Sequence, residues 1–178
     1  MNRPLPKRSD RTVFTTPWFQ ILESAPSDGG HPHYRIQSSD FVVIIAKNLD
    51  GSLILVRQFR HGVEAMTLEL PAGHVDAGQT PEEAARRELL EETGYEAEHL
   101  TLVGKLSPST ARFTNRVWCY FAGNCRFVPS PDISREVGVE VLLWRKPLKD
   151  LLDEPEFFSA TSCGALFAGV ARGQIVLG

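Results

Sequence analysis

The glutamates at positions 88, 91 and 92 are the side chains of this sequence best spaced to act together. They lie in a run from Pro81 to Gly94 that follows a glycine-bearing stretch starting at Gly73. If that run is helical, residues at i, i+3 and i+4 share one face. Like charges held so close repel one another, which costs free energy unless a cation sits among them. A divalent metal is the obvious candidate, and carboxylates together with backbone carbonyls suit Mg²⁺ or Mn²⁺. Zinc would ask for histidine or cysteine, and the stretch offers only His74.

The sequence punctuates the helix at both ends. Thr80 is a suitable N-cap, Pro81 sits where its missing N–H is harmless, and Glu83 three residues after the cap completes a capping box. Gly94 follows as a residue free to take positive φ. A solvated surface helix is the plain alternative, because Glu82–Arg86, Glu83–Arg87 and Arg87–Glu91 are all i,i+4 pairs. Glu88 and Glu92 do not fit it, since neither has a basic residue three or four positions away. Small Ala84 and Ala85 flank the acidic face and would let another element approach closely.

Residues 73–95 resemble the Nudix box, the pattern G-x5-E-x7-R-E-U-x-E-E-x-G-U with U apolar. Gly73, Arg87, Glu88, Leu89, Glu91, Glu92, Gly94 and Tyr95 match at the required spacing, and Gln79 stands where the pattern has its first glutamate. In the family that glutamate helps hold the loop and the arginine, so Gln79 is expected to bond Arg87 without charge. Upstream, the Gln58-Phe59-Arg60 and Glu69-Leu70-Pro71-Ala72-Gly73 segments are similar to the ADP-ribose pyrophosphatase branch. The likeness runs from about residue 13 to residue 152 and fades at both ends.

The resemblance implies an α+β chain with the Nudix fold, a mixed β-sheet sandwiched between helices (α/β/α). Residues 1–40 would form an antiparallel β extension used in dimerisation, and residues 41–178 the hydrolase domain. It implies that the Ala72 carbonyl, Glu88 and Glu92 ligate the metal, with Glu91 ligating directly or through water. Metal there would neutralise a diphosphate and orient water for attack on phosphorus. A general base in this branch often comes from downstream; Glu136, beside Gly138, is preferred over Glu140, which directly precedes an apolar strand. Those two and Glu91 are the candidate catalytic carboxylates.

Arg57 and Arg60 are the candidate phosphate clamps, because a guanidinium meets phosphate in a bidentate fork. Arg60 matches the family segment, whereas Arg57 is equally well explained as an exposed strand end. Gly73 is a candidate substrate-binding residue, and Trp18 is a candidate adenine-stacking residue, with a core or interface role as the alternative. His61 and His74 read as structural or solvent-facing, and Trp118 and Trp144 as core.

Composition agrees with a single soluble domain of 178 residues, 42% hydrophobic and 23% charged. A net charge of −3 argues against a general nucleic-acid binder. Three scattered cysteines make neither a disulfide framework nor a zinc cluster, and a reducing cytoplasm is the simplest compartment. No apolar run suggests a signal peptide or a membrane span.

Strands are expected over residues 13–23, 33–37, 41–47, 52–58, 66–70, 100–106, 117–122 and 139–144. The hairpin around Asn48-Leu49-Asp50-Gly51 carries Asp-Gly turn chemistry. Short helices are expected over residues 147–152 and 159–172, the second ended by Gly173. Three functions are consistent with these features: a pyrophosphatase for ADP-ribose or a related nucleoside diphosphate sugar, a Nudix enzyme for dinucleotides or oxidised triphosphates, and a nucleotide sensor without catalysis. The carboxylate cluster argues against the sensor, and segments 57–73 favour the first. Residues 107–116 depart from the commoner ADP-ribose pattern and leave the sugar open.

Overall fold

The computed structural model describes residues 8–26, 29–129 and 138–178. Two sheets carry the architecture. The first is antiparallel and three-stranded: β1 (Arg8–Thr15), β2 (Phe19–Pro26) and β3 (His33–Ser38). The single strand expected over residues 13–23 is therefore two strands. Thr16 breaks it, because its hydroxyl accepts hydrogen bonds from the backbone N–H groups of Trp18 (3.1 Å) and Phe19 (2.9 Å), forming a tight turn before Pro17 can continue a ladder.

The second sheet has eight strands. β4 (Phe41–Asn48) and β5 (Leu53–Arg60) form the expected hairpin, in which Gly51 takes φ 83°. β6 (Ala65–Glu69) pairs with β5, and β7 (Ala72–His74) pairs with β4. The β4–β5 pairing is confined to Ala46–Ile54 and Lys47–Leu53, next to the turn, so further along the β6–β7 segment lies between the two strands. After α1 (Pro81–Thr93) come β8 (Tyr95–Glu96), β9 (Thr101–Leu106) and the long β10 (Val117–Phe127). β10 runs parallel to β4 and antiparallel to β9 and β8, which makes the sheet mixed. β11 (Glu140–Trp144) closes the far edge on β5, followed by α2 (Leu148–Leu151) and α3 (Ala160–Ala171).

Alternation along the central strands explains the sandwich. Val42, Ile44 and Ala46 of β4 join Ala84, Ala85 and Leu89 of α1 in one core. Val43 and Ile45, from the same strand, join Ala165 and Leu166 of α3 in the other. Ala84 and Ala85 are fully buried, so their small size lets α1 lie close to the sheet. Trp118 and Trp144 are only partly buried: the Trp118 indole donates to Asp40 (2.8 Å) and the Trp144 indole to the Pro147 carbonyl (3.3 Å). An indole N–H seeks an acceptor, which keeps these rings at the edge of the core. No helix among the described residues is long and apolar enough to cross a membrane.

Candidate active site

Helix α1 begins and ends as its sequence dictates. Thr80 accepts from the Glu83 N–H (3.2 Å), Glu83 accepts in return from the Thr80 N–H (2.7 Å), and Gly94 closes the helix at φ 73°. The capping hydrogen bonds hold the Glu83 carboxyl below its ordinary pKa. Glu83 is thus used by the cap and not by Arg87, whereas Glu82–Arg86 (2.9 Å) and Arg87–Glu91 (2.8 Å) form as i,i+4 pairs.

Strand alternation sorts the candidate residues by face. Ala72 points into the α3-side core, so Gly73 faces α1. The Glu88 carboxylate fills the space there: a β-carbon on Gly73 would lie 2.0 Å from Glu88 Cδ. Glu92, only 4% exposed, accepts from the Ala72 N–H at 2.8 Å. Two of the three glutamates are thereby applied directly to the strand that bears the Ala72 carbonyl. The absence of a side chain at Gly73 makes room for the Glu88 carboxylate.

Glu91 is exposed and turned towards Arg87. The Arg87 guanidinium also reaches Glu88 Oε1 (3.0 Å), Asp76 Oδ2 (3.2 Å) and the His74 carbonyl (2.9 Å). Glu88 therefore does have a basic partner on its own helix, one residue away, contrary to the inference from i±3 and i±4 spacing. Adjacent residues on a helix diverge at Cα, but a long arginine tip can fold back to its neighbour. Gln79 does not bond Arg87; its side-chain oxygen accepts from the Asp76 N–H at 3.3 Å. His74 bonds Ser39 (3.0 Å between Oγ and Nδ1), and burial, partly offset by Asp76, lowers its pKa and favours the neutral ring.

Arg57 and Arg60 are three residues apart and so fall on opposite faces of β5. Arg60 shares the α1 side with Ile54; Arg57 shares the α3 side with Leu53 and Leu55. Arg60 is held by Glu69 through two hydrogen bonds, 3.1 and 2.8 Å, and Thr67 donates to the same carboxylate at 2.7 Å. Burial works to raise the Glu69 pKa, but the bonds from Arg60 and Thr67 prevail and lower it. Arg57 is forked onto Glu156 (2.7 and 2.8 Å) and reaches Glu140 at 3.5 Å. The Glu156 carboxylate pushes the Arg57 pKa up and has its own pKa lowered by the same bonds. Glu140, opposite Arg57 in register, shares the α3-side face of β11 with Leu142 and Trp144. Glu136 lies outside the described residues.

Two features were not anticipated. Asp40 joins the loops around the site: its carboxylate accepts from the Arg116 N–H and Trp118 Nε1 (2.8 Å each), and its carbonyl from the Val75 N–H (2.9 Å). A cavity of about 360 Å³ lies beside it, lined by Arg35, Ser107, Thr110, Phe113, Thr114 and Arg116. Trp18 is 76% exposed and borders a shallow depression with Gln37 and Ser39, the latter being the His74 partner.

The glutamates suit a hard divalent cation: their donors are all oxygen, they lie on one helix turn, and Glu88 faces a glycine that leaves room for its carboxylate. Among the described residues no three acidic, histidine or cysteine side chains already converge on one point, because Arg87 and the Ala72 amide engage the glutamates separately. Glu88, Glu91, Glu92 and the Ala72 carbonyl are the groups that would hold the ion.

A mixed sheet between helices, presenting a carboxylate-bearing helix to a glycine strand, defines the class as an α+β hydrolase with the Nudix fold. The Nudix domain profile matches residues 38–156, and the chain belongs to that family, whose hydrolases generally need divalent metal ions. It is 32% identical over 126 residues to the ADP compounds hydrolase NudE of Escherichia coli strain K12, covering 70% of this chain and 67% of that one. It is 45% identical over 62 residues to the ADP-ribose pyrophosphatase of Bacillus subtilis strain 168, covering 35% of this chain and 34% of that one. The chain thus spans about two thirds of the first relative and about one third of the second. A crystal structure of an ADP compounds hydrolase superposes with a TM-score of 0.77 at 26% identity, covering 98% of this chain and 100% of that one.

Proposed function

We propose that this Nudix hydrolase uses Mg²⁺ or Mn²⁺ to cleave the diphosphate of ADP-ribose or a related nucleoside diphosphate sugar. Water adds across the P–O–P linkage: one phosphorus gains the hydroxyl and the other departs with the bridging oxygen, giving a nucleoside monophosphate and a sugar phosphate. The observation that carries the reading is the Glu88 carboxylate seated over Gly73 while Glu92 holds the Ala72 amide. The names of the Escherichia coli and Bacillus subtilis relatives support the substrate class.

A divalent cation bound by Glu88, Glu91, Glu92 and the Ala72 carbonyl supplies charge neutralisation and water activation. Arg60, on the α1 side of the sheet, clamps a phosphate, and Gly73 keeps the strand open to Glu88. The cavity beside Asp40, with Arg35, Arg116 and several hydroxyls, suits a polyhydroxylated or anionic part of the substrate. The general base is a carboxylate downstream of β10, Glu136 in preference to Glu140, the first residue of β11. Val13, Phe14 and Trp18, 41%, 52% and 76% exposed, are the surface through which the three-stranded sheet pairs with a second copy, and Trp18 stacks on adenine there. The free thiols Cys119, Cys125 and Cys163 accord with a reducing cytoplasm.

A panel of nucleoside diphosphate sugars, dinucleotides and oxidised triphosphates, assayed with Mg²⁺ and with Mn²⁺, tests the reading. ADP-ribose or another nucleoside diphosphate sugar should be turned over best, and Glu92→Gln should lower kcat by about a hundredfold or more. Preference for another class, or an active Glu92→Gln, would overturn it.

A further inference from the structure

Arg87 has a position that the functional reading does not by itself explain. One guanidinium nitrogen, Nη2, donates to the His74 carbonyl (2.9 Å) at the end of β7 and forms an ion pair with Asp76 Oδ2 (3.2 Å) on the loop that follows. The other, Nη1, donates to Glu91 Oε2 (2.8 Å) and forms an ion pair with Glu88 Oε1 (3.0 Å), both on the helix. Nε is buried and has no hydrogen-bond partner among the described residues. The Gln79 side-chain oxygen, on the same loop, accepts from the Asp76 N–H.

We infer that Asp76 is a positioning residue: its carboxylate anchors the loop side of Arg87 and so sets where Glu88 and Glu91 are held for the metal. The inference rests on the metal-dependent reading above. A guanidinium between two pairs of acceptors stays where the attractions balance. With Asp76 neutral, one carbonyl faces two carboxylates, and Arg87 moves onto Glu88 and Glu91. It then competes with the cation for the same oxygens. The Asp76 side chain is 66% exposed, and an exposed ion pair adds little to folding. The effect therefore belongs to metal affinity and not to stability. Gln79 supplies no charge in this network, so Asp76 carries it alone on the loop side.

Titration of Mn²⁺ into the protein without nucleotide, followed by calorimetry or by the loss of the free-ion paramagnetic signal, tests this directly. Asp76→Asn should weaken Mn²⁺ binding about tenfold, as loss of a group that orients ligands typically does, while Tm stays put. Adding Gln79→Glu to Asp76→Asn should restore most of that affinity, because a carboxylate at 79 returns a negative charge to the loop side of Arg87. If Asp76→Asn binds Mn²⁺ like the parent, or if Gln79→Glu restores nothing, the inference is overturned and the functional reading stands. If the parent takes up no Mn²⁺ at all, with or without nucleotide, the functional reading fails and this inference fails with it.

Discussion

The carboxylate of Glu88 occupies the volume in which Gly73 would carry a β-carbon, with Cδ 2.0 Å from that position. The overlap sets helix and strand in contact without any backbone clash, since the atoms met belong to the end of a flexible side chain. Gly73→Ala should therefore leave the fold nearly as stable while forcing Glu88 aside. A misplacement of about 1 Å at a reacting centre can cost about a hundredfold in rate. A loss of that order in kcat, with Tm shifted by no more than a degree or two, is the expected outcome; thermal melts alongside steady-state assays would check it. A variant that keeps full turnover would detach Glu88 from the site.

Arg57 and Arg60 lie on opposite faces of β5, and their variants should separate accordingly. Arg60→Ala removes a guanidinium on the α1 side and should raise KM, as expected for a group that binds diphosphate in both ground and transition states. Arg57→Ala breaks the fork to Glu156, whose backbone carbonyl also accepts from the Leu68 N–H at 2.8 Å. It should lower Tm slightly and leave KM almost unchanged. Glu156→Gln should reproduce the Arg57→Ala phenotype, whereas a KM increase for Arg57→Ala larger than for Arg60→Ala would reverse the assignment.

Much of this arrangement was legible in the sequence because it is local. The capping box, Pro81 and Gly94 fix α1 at Pro81–Thr93, and the Asp-Gly turn fixes the β4–β5 hairpin, since each depends on residues within a few positions of one another. The paired carboxylates were visible for the same reason. Long-range relations were not. Asp40 bonds residues 76 and 78 positions away, and Glu156 meets Arg57 across 99 residues; no spacing rule reports such contacts. The short β7 was hidden because three residues, one of them glycine, carry no usable alternation, although they bring Ala72 to Glu92. Arg57 and Arg60 look alike in sequence, and their difference appears only when strand parity is referred to the two cores.

Glu69 gives the stability of the fold an acid limb. Its hydrogen bonds from Arg60 and Thr67 outweigh burial and keep its pKa lowered in the folded state. A depressed carboxylate stabilises the protein above the unfolded pKa, about 4.3 for glutamate, and that contribution disappears as pH falls through the folded value. Urea unfolding of the parent and of Glu69→Gln should differ fully at pH 7, with the parent more stable, and the gap should close below about pH 4. A gap independent of pH would mean that Glu69 acts through packing alone.

The choice between Glu136 and Glu140 as general base turns on what already holds Glu140. It is paired in register with Arg57, reached by the Arg57 guanidinium at 3.5 Å, and lies on the α3-side face of β11. A base must come within about 3 Å of the water it deprotonates, directly or through one other water. From the face opposite α1, Glu140 would have to leave Arg57 and round the edge of the sheet. Glu140→Gln should therefore reduce kcat by a few-fold at most, and it should shift Tm in the direction of Arg57→Ala. Glu136→Gln should reduce kcat by about a hundredfold or more, since general-base catalysis is worth about 10² to 10⁴. It should also remove the acid limb of the pH profile of kcat/KM, which a merely structural glutamate would leave in place. Equal small losses for the two variants would mean that the base lies elsewhere, with Glu91, the most exposed glutamate of the α1 cluster, as the next to test.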